Sequence, residues 1–184
     1  AAGCRHRRLI AEQKMSEDFT PKPVAASAVS EHVYKVFPND LNAYNTMFGG
    51  AILATIDRLA SIVAERHAGR VCVTASVDAV HFMAPARHGD TLVFFAAVNR
   101  AWGTSMEIGA RVIAEDCLSC GMEKRHIVSA YLTFVALDAD NKPTSVPPVV
   151  PESEGEKQRY AEADMRRQQR LAHAEAIKRH RAGV

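Results

Sequence analysis

No stretch of this chain is long and apolar enough to cross a bilayer as a helix: the longest uninterrupted apolar run, Leu92 to Val98, falls far short of the ~20 residues required. We therefore expect no membrane span. Cysteine is also scarce, and four of them (Cys4, Cys72, Cys117, Cys120) in 184 residues are too few for a disulfide scaffold. The unpaired look of Cys4 and Cys72 suits a reducing compartment, which points to the cytoplasm. Charge of one sign is missing too, since 23 Lys and Arg against 21 Asp and Glu leave only +2, too little to predict a nucleic-acid partner. The eight histidines form no HExxH pattern, and neither a P-loop nor a Gly-x-Ser-x-Gly elbow occurs. What is present is ordinary: 47% hydrophobic residues in a chain long enough to bury roughly 70% of its unfolded surface without metal or disulfide staples.

Residues 1–29 are polar, basic at first, and broken by Pro21 and Pro23, so they read as a flexible arm. Ala1-Ala2-Gly3-Cys4 has the shape of a lipoprotein cleavage site, but no apolar stretch precedes it. The expectation is a flexible or non-native leader ahead of Met15. Residues 30–141 hold the compact part. Ser30 to Phe37 reads as a strand, and Ile52, Ile56, Leu59 and Val63 recur at three- and four-residue spacing, giving a helix over Ala51 to His67 closed by Gly69. From Val71 the period changes to two, and strands follow over Val71 to Ala79, Leu92 to Arg100, Ser105 to Glu115 and Ile127 to Leu137. One long helix on an antiparallel sheet is an α+β layer solution. Residues 142–151 carry four prolines and read as a strap outside the sheet interior. Residues 152–184 read as a charged, solvated helix or tail, with eight Lys or Arg against four Asp or Glu between Glu156 and Arg181.

The long helix carries the chemistry. Asp57 has Leu53, Ala60 and Ser61 as its helical neighbours, an apolar or small-residue face that turns the carboxylate toward packed protein. Left without partners there, it would be costly and driven toward its neutral form. A structural hydrogen bond, an acid–base role, or a polar edge shared with Arg58 all remain open at this point. Gly49-Gly50 at the helix start lets a ligand approach unpaired N–H groups that can hold a carbonyl oxygen as it gains charge. Asp57 lies about 10 Å further along by helix rise, too far for both to act on one carbon within one subunit. If both act, the site lies between two copies.

The stretch Asn42-Ala43-Tyr44-Asn45-Thr46-Met47-Phe48-Gly49-Gly50, then Asp57, Val73-Thr74-Ala75-Ser76, Phe82-Met83-Ala84-Pro85, Gly89-Asp90, Gly103-Thr104-Ser105-Met106 and Phe134-Val135-Ala136-Leu137-Asp138, resembles the hotdog-fold acyl-CoA thioesterases. The nearest branch holds the bacterial YciA-like enzymes and the mammalian brain acyl-CoA hydrolases, and the resemblance runs from about His32 to Pro148. It implies a hotdog fold, a long central helix wrapped by an antiparallel sheet, in dimers with a continuous sheet, three of which assemble into a homohexamer. It also implies an enzyme that hydrolyses acyl-CoA to a carboxylic acid and CoA, with Asp57 as general base or nucleophile. Asn42 matches a polar position near the site across the interface, and Gly50, with Gly49, matches the backbone donors to the carbonyl. Thr104 and Ser105 match positions along the thioester and pantetheine path, with Thr74 and Ser76 as further substrate-binding candidates. Relatives often have glycine where this chain has Asn45, and Asn tolerates the left-handed backbone such a turn needs. Tyr44 beside it is bulkier than is common and would reshape the acyl entrance.

Arg87, with His88, Arg100, Lys124 and Arg125, could meet the CoA phosphates. No metal or redox cofactor is expected, since backbone donors activate the carbonyl and a carboxylate activates the water. Cys117-Leu118-Ser119-Cys120 with His126 nearby is a single CxxC and a weak metal or redox signal. His81 follows the helix, whereas the histidine of hotdog dehydratases precedes it. Two rival readings stay in view, a non-catalytic acyl-CoA sensor on the same fold and an interaction protein acting through the basic tail.

Overall fold

The computed structural model describes residues 20–115 and 124–183. Cys4 and the Cys117–Cys120 motif lie outside them. The elements, in order, are β1 (Lys22–Pro23), β2 (Val29–Lys35), α1 (Gly49–Ala68), β3 (Cys72–Phe82), β4 (Thr91–Trp102), β5 (Ser105–Glu115), β6 (Lys124–Ala136), β7 (Val149–Val150) and α2 (Glu154–Arg181), with short 3-10 turns at Val24–Ala26 and Pro38–Asp40. β2 to β6 form one antiparallel sheet in the order β2-β4-β5-β6-β3. β3 and β2 are therefore its open edges.

α1 forms because Ile52, Ile56, Leu59, Ala60, Val63 and Ala64 supply one continuous buried face. It stops at Gly69, whose φ of 66° caps the helix by donating its N–H to Glu65 O at 2.8 Å. That face covers the sheet side built from Leu92, Phe94, Met106, Ile108, Leu132 and Phe134, which alternate with residues of the opposite side. The core is thus one helix wide.

The opposite side of the sheet is covered as well. α2 lies across it, and Ala163 is fully buried there. Arg166 grips the completely buried Glu107 of β5 with Nη2 2.7 Å from Oε1 and Nε 3.1 Å from Oε2. Arg170 pairs with Asp78 of β3, and Asp164 accepts from Trp102 Nε1 of β4 at 3.3 Å. The front half of this helix is docked rather than solvated as its composition suggests, because its contacts are ionic and leave no apolar stripe to read.

The arm also ends sooner than proline and polarity imply. From Thr20 the chain runs against the domain: β1 pairs in parallel with β7, Val24 is buried, and Lys22 Nζ donates to His67 O at the end of α1. The proline-rich strap stays outside the five-stranded sheet. It buries Val146 and Val149, and His67 Nε2 lies 2.9 Å from Pro147 O.

Candidate active site

Asp57 sits half-buried on α1, two turns from its start, where Thr74 of β3 donates Oγ1–H to its Oδ1 at 2.8 Å. The carboxylate is therefore partnered at the rim of the packed layer rather than enclosed within it, and its second oxygen is free of side-chain bonds among the described residues. Ser76 does not join it. Thr74 pairs with Phe134 and Ser76 with Thr133, so one extra residue, Ala75, stands between them as a bulge. The bulge sends Ser76 to the α2 side of the sheet, where it donates to Asp78 Oδ1 at 2.6 Å. An alternating reading of the strand put both hydroxyls on one face, and the bulge breaks that alternation.

Asn42 organises the turn that leads into α1. Its Oδ1 accepts from the Tyr44 N–H at 2.8 Å and its Nδ2 lies 2.9 Å from Thr46 Oγ1. Asn45 adopts φ 57°, the left-handed conformation expected of it. Gly49 and Gly50 then open the helix. Neither N–H makes a backbone hydrogen bond among the described residues, as first-turn donors do not. A Cβ on Gly49 would stand 3.0 Å from Phe82 Cζ, whereas one on Gly50 would meet nothing within 4 Å. Gly49 admits the Phe82 ring, and Gly50 faces open space. Asn42, Thr46, Gly49, Phe82 and Pro85 line a cleft of about 440 Å³. The Thr46 hydroxyl and the Phe82 ring are the residues that sequence reasoning left without a role here; for Thr46 the four-residue spacing from Asn42 was the available signal.

These groups fall into two separate halves. Asp57 and Thr74 lie at the start of β3, and Gly49 packs on Phe82 at its end. Along α1, Asp57 lies seven residues beyond Gly50, about 10 Å by helix rise. Thr104 and Ser105 belong to neither half: Thr104 lies in the β4–β5 turn, and Ser105 stands beside Val135 in the row of Trp102 and Val73, one row from Thr74 and on the other face. Of the basic candidates, Arg125 is spent on Asp90 and Pro85 O, Lys124 on Glu115, and Arg100 on Asp164 and the Tyr160 ring. Arg87 and His88 are exposed and make no side-chain bond among the described residues, and Arg87 is bridged to Thr46 beside the cleft. His126 is bonded to Ser129. No group of three His, Cys, Asp or Glu is placed to hold a metal among the described residues.

The family model described as "Thioesterase superfamily" matches residues 44–120. Over 146 residues the chain is 40% identical to the "Uncharacterized acyl-CoA thioester hydrolase YkhA" of Bacillus subtilis (strain 168), covering 78% of this chain and 84% of that one. The chain belongs to the thioesterase superfamily. Its fold is the hotdog, and this thioesterase superimposes on the acyl-CoA hydrolase of Staphylococcus aureus, solved with butyryl coenzyme A, coenzyme A and coenzyme A disulfide, with TM-score 0.80 and 39% identity over 86% of this chain and 94% of that one. Structures of that enzyme with an aspartate, an asparagine or a threonine replaced by alanine match it equally well. A structure described as an apo-hexameric acyl-CoA thioesterase matches with TM-score 0.81 and 37% identity over 85% of this chain and 98% of that one. The family match takes in Gly49, Gly50, Asp57 and Thr74 of the thioesterase but starts after Asn42.

Proposed function

We propose that this thioesterase hydrolyses acyl-CoA to a carboxylic acid and CoA, at a site that two copies complete. The observation that carries the reading is the placement of Asp57, bonded to Thr74, at one end of the open edge strand β3, with the Asn42–Gly50 cleft at the other. Two antiparallel β3 strands joined edge to edge interchange these ends, so Asp57 of one copy comes to face Gly50 of the partner subunit. Val73, Val77 and Phe82 are exposed along that edge, as an interface awaiting its second copy requires. The asparagine, aspartate and threonine replaced in the Staphylococcus aureus enzyme are 15 and 17 residues apart, and Asn42, Asp57 and Thr74 have the same two separations. Three dimers would then make a hexamer like that of the structural relative.

Asp57 takes a proton from water as the water oxygen attacks the thioester carbonyl carbon. The carbonyl electron pair moves onto oxygen, where the N–H of the partner subunit's Gly50 holds it. When the carbonyl re-forms, the C–S bond breaks and the CoA thiolate takes up the proton carried by Asp57. Direct attack by Asp57, through an acyl anhydride that water then opens, uses the same groups. Thr74 fixes the carboxylate, the partner's Asn42 orients the acyl end, and Arg87 meets a CoA phosphate. The residues supply base and electrophile themselves, so the reading calls for no metal or redox cofactor. A buried, unpaired Cys72 thiol fits the reducing cytoplasm.

Thiol release from acetyl- and palmitoyl-CoA tests this. Asp57→Asn is expected to lower kcat by about 10²–10⁴-fold at unchanged melting temperature. A wild-type protein that binds acyl-CoA without releasing thiol is a sensor, and an Asp57→Asn variant with full activity removes Asp57 from the mechanism.

A further inference from the structure

α2 is 28 residues long, about 42 Å, yet only its first part touches the domain. Its contacts step across the sheet in strand order. Tyr160 lies under Arg100 of β4, Arg166 binds Glu107 of β5 and covers the Tyr131 ring of β6, and Arg170 reaches Asp78 of β3. Having reached the edge strand, the helix continues: every residue from Leu171 to Arg181 is exposed. Eleven residues carry it about 16 Å past β3, which is about three strand spacings.

We propose that residues 171–181 of α2 dock on a second copy of this chain, lying antiparallel against its α2 across the β3–β3 junction. The inference rests on the edge-to-edge dimer described above and adds a second layer to it. Asp78, where α2 crosses β3, is one residue from Val77, the midpoint of the strand. Two strands paired about that midpoint bring both helices beside the two-fold axis, roughly one helix width apart. A crossing near Leu171 sets Lys178 to Arg181 opposite residues 160–165 of the other helix.

The charges match that arrangement. Residues 152–164 hold five acids (Glu152, Glu154, Glu156, Glu162, Asp164) and two bases (Lys157, Arg159), a net −3. Residues 165–181 hold six bases (Arg166, Arg167, Arg170, Lys178, Arg179, Arg181) and one acid (Glu175), a net +5. An antiparallel pair places each basic half on an acidic half, and a parallel pair does not. Part of this segregation complements the helix dipole at the two ends, but Glu162 lies in the third turn, beyond the reach of that effect. Leu171, Ala174 and Ile177, at three-residue steps within one broad face, supply apolar contact; Leu171 and Ile177 are both exposed in the single chain. Three turns of helix without tertiary contacts are marginal in water, so a packing partner also explains why the helix runs this far.

Hydrogen exchange read by mass spectrometry on the full chain, with sedimentation on the same samples, tests the docking apart from the dimer itself. Amides of residues 171–181 are expected to exchange at least tenfold slower in the dimer than in the dilute monomer. Reversing the basic end (Lys178→Glu, Arg179→Glu, Arg181→Glu) is expected to remove that protection and raise the dimer Kd by about tenfold, with fold and β5 protection unchanged. Adding Glu162→Arg should restore both. A dimer whose 171–181 amides exchange as fast as in the monomer, or whose Kd ignores the reversal, overturns the docking and leaves the edge pairing standing. A chain that sediments as a monomer at all concentrations overturns both, and retention of the basic end on anionic vesicles by the dimer assigns it to a lipid surface instead.

Discussion

At the scale of single residues, the buried histidine behaves differently from the carboxylate proposed as the catalytic base. Asp57 is reachable and bonded to one hydroxyl, which suits the proton transfer proposed for it. His67 is fully buried between α1, the strap and β1. Its Nε2–H donates to Pro147 O, which fixes the neutral tautomer, and Nδ1 faces no acceptor. Burial holds the imidazole below its ordinary range against the pull of the Pro147 carbonyl, and the Lys22 ammonium acts in the same direction as burial. With the folded state the weaker proton binder, this site contributes stability above about pH 6.5 and loses it as pH falls through the folded value. Melting temperature should therefore drop on acidification below pH 6.5, more steeply in wild type than in His67→Gln, which keeps a donor for Pro147 O and cannot titrate. Parallel curves for the two proteins would free His67 of that role. The Cys72 thiol, pushed up to about 11 mainly by burial, has no comparable pH response in this range.

At the scale of elements, legibility followed the kind of force that positions each one. α1 and the strands are set by apolar periodicity, so their order was plain, and β5 is found over Ser105–Glu115 as expected. The placement of Asp57 and Gly50 on one helix was legible for the same reason, because that helix is periodic. Two things were hidden. The bulge at Ala75 depends on how β6 pairs with β3 and leaves no local mark, so Ser76 was grouped with Thr74. The docking of α2 depends on Arg166 and Arg170 finding acids on separate strands, and charged residues on a helix read as solvent-facing. That ionic attachment is testable. Arg166→Met leaves Glu107 buried with only Asn99 as a side-chain partner among the described residues and should cost about 3–5 kcal/mol in denaturant unfolding. The double variant Glu107→Leu/Arg166→Met should recover most of it, since no uncompensated charge remains. Equal losses in the two variants would show that packing, not charge, holds the helix.

At the scale of the whole molecule, the proposed mechanism gives one copy two half-sites. Asp57→Asn damages one half and Asn42→Ala the other, so a dimer formed from one of each keeps a single intact site. Mixed in equal amounts and allowed to exchange subunits, the two weak variants should recover about a quarter of wild-type activity, because half the dimers are hybrids and each has one of two sites. Recovery of nothing beyond the sum of the separate activities would place all the groups within one chain.

The open edge of β3 also sets how the enzyme responds to its own abundance. If turnover requires two copies, activity at high dilution should fall with the square of protein concentration rather than in proportion to it. A cell that halves its supply of the chain near the dimer Kd would then lose more than half of its hydrolytic rate, which makes the amount of protein itself a form of control.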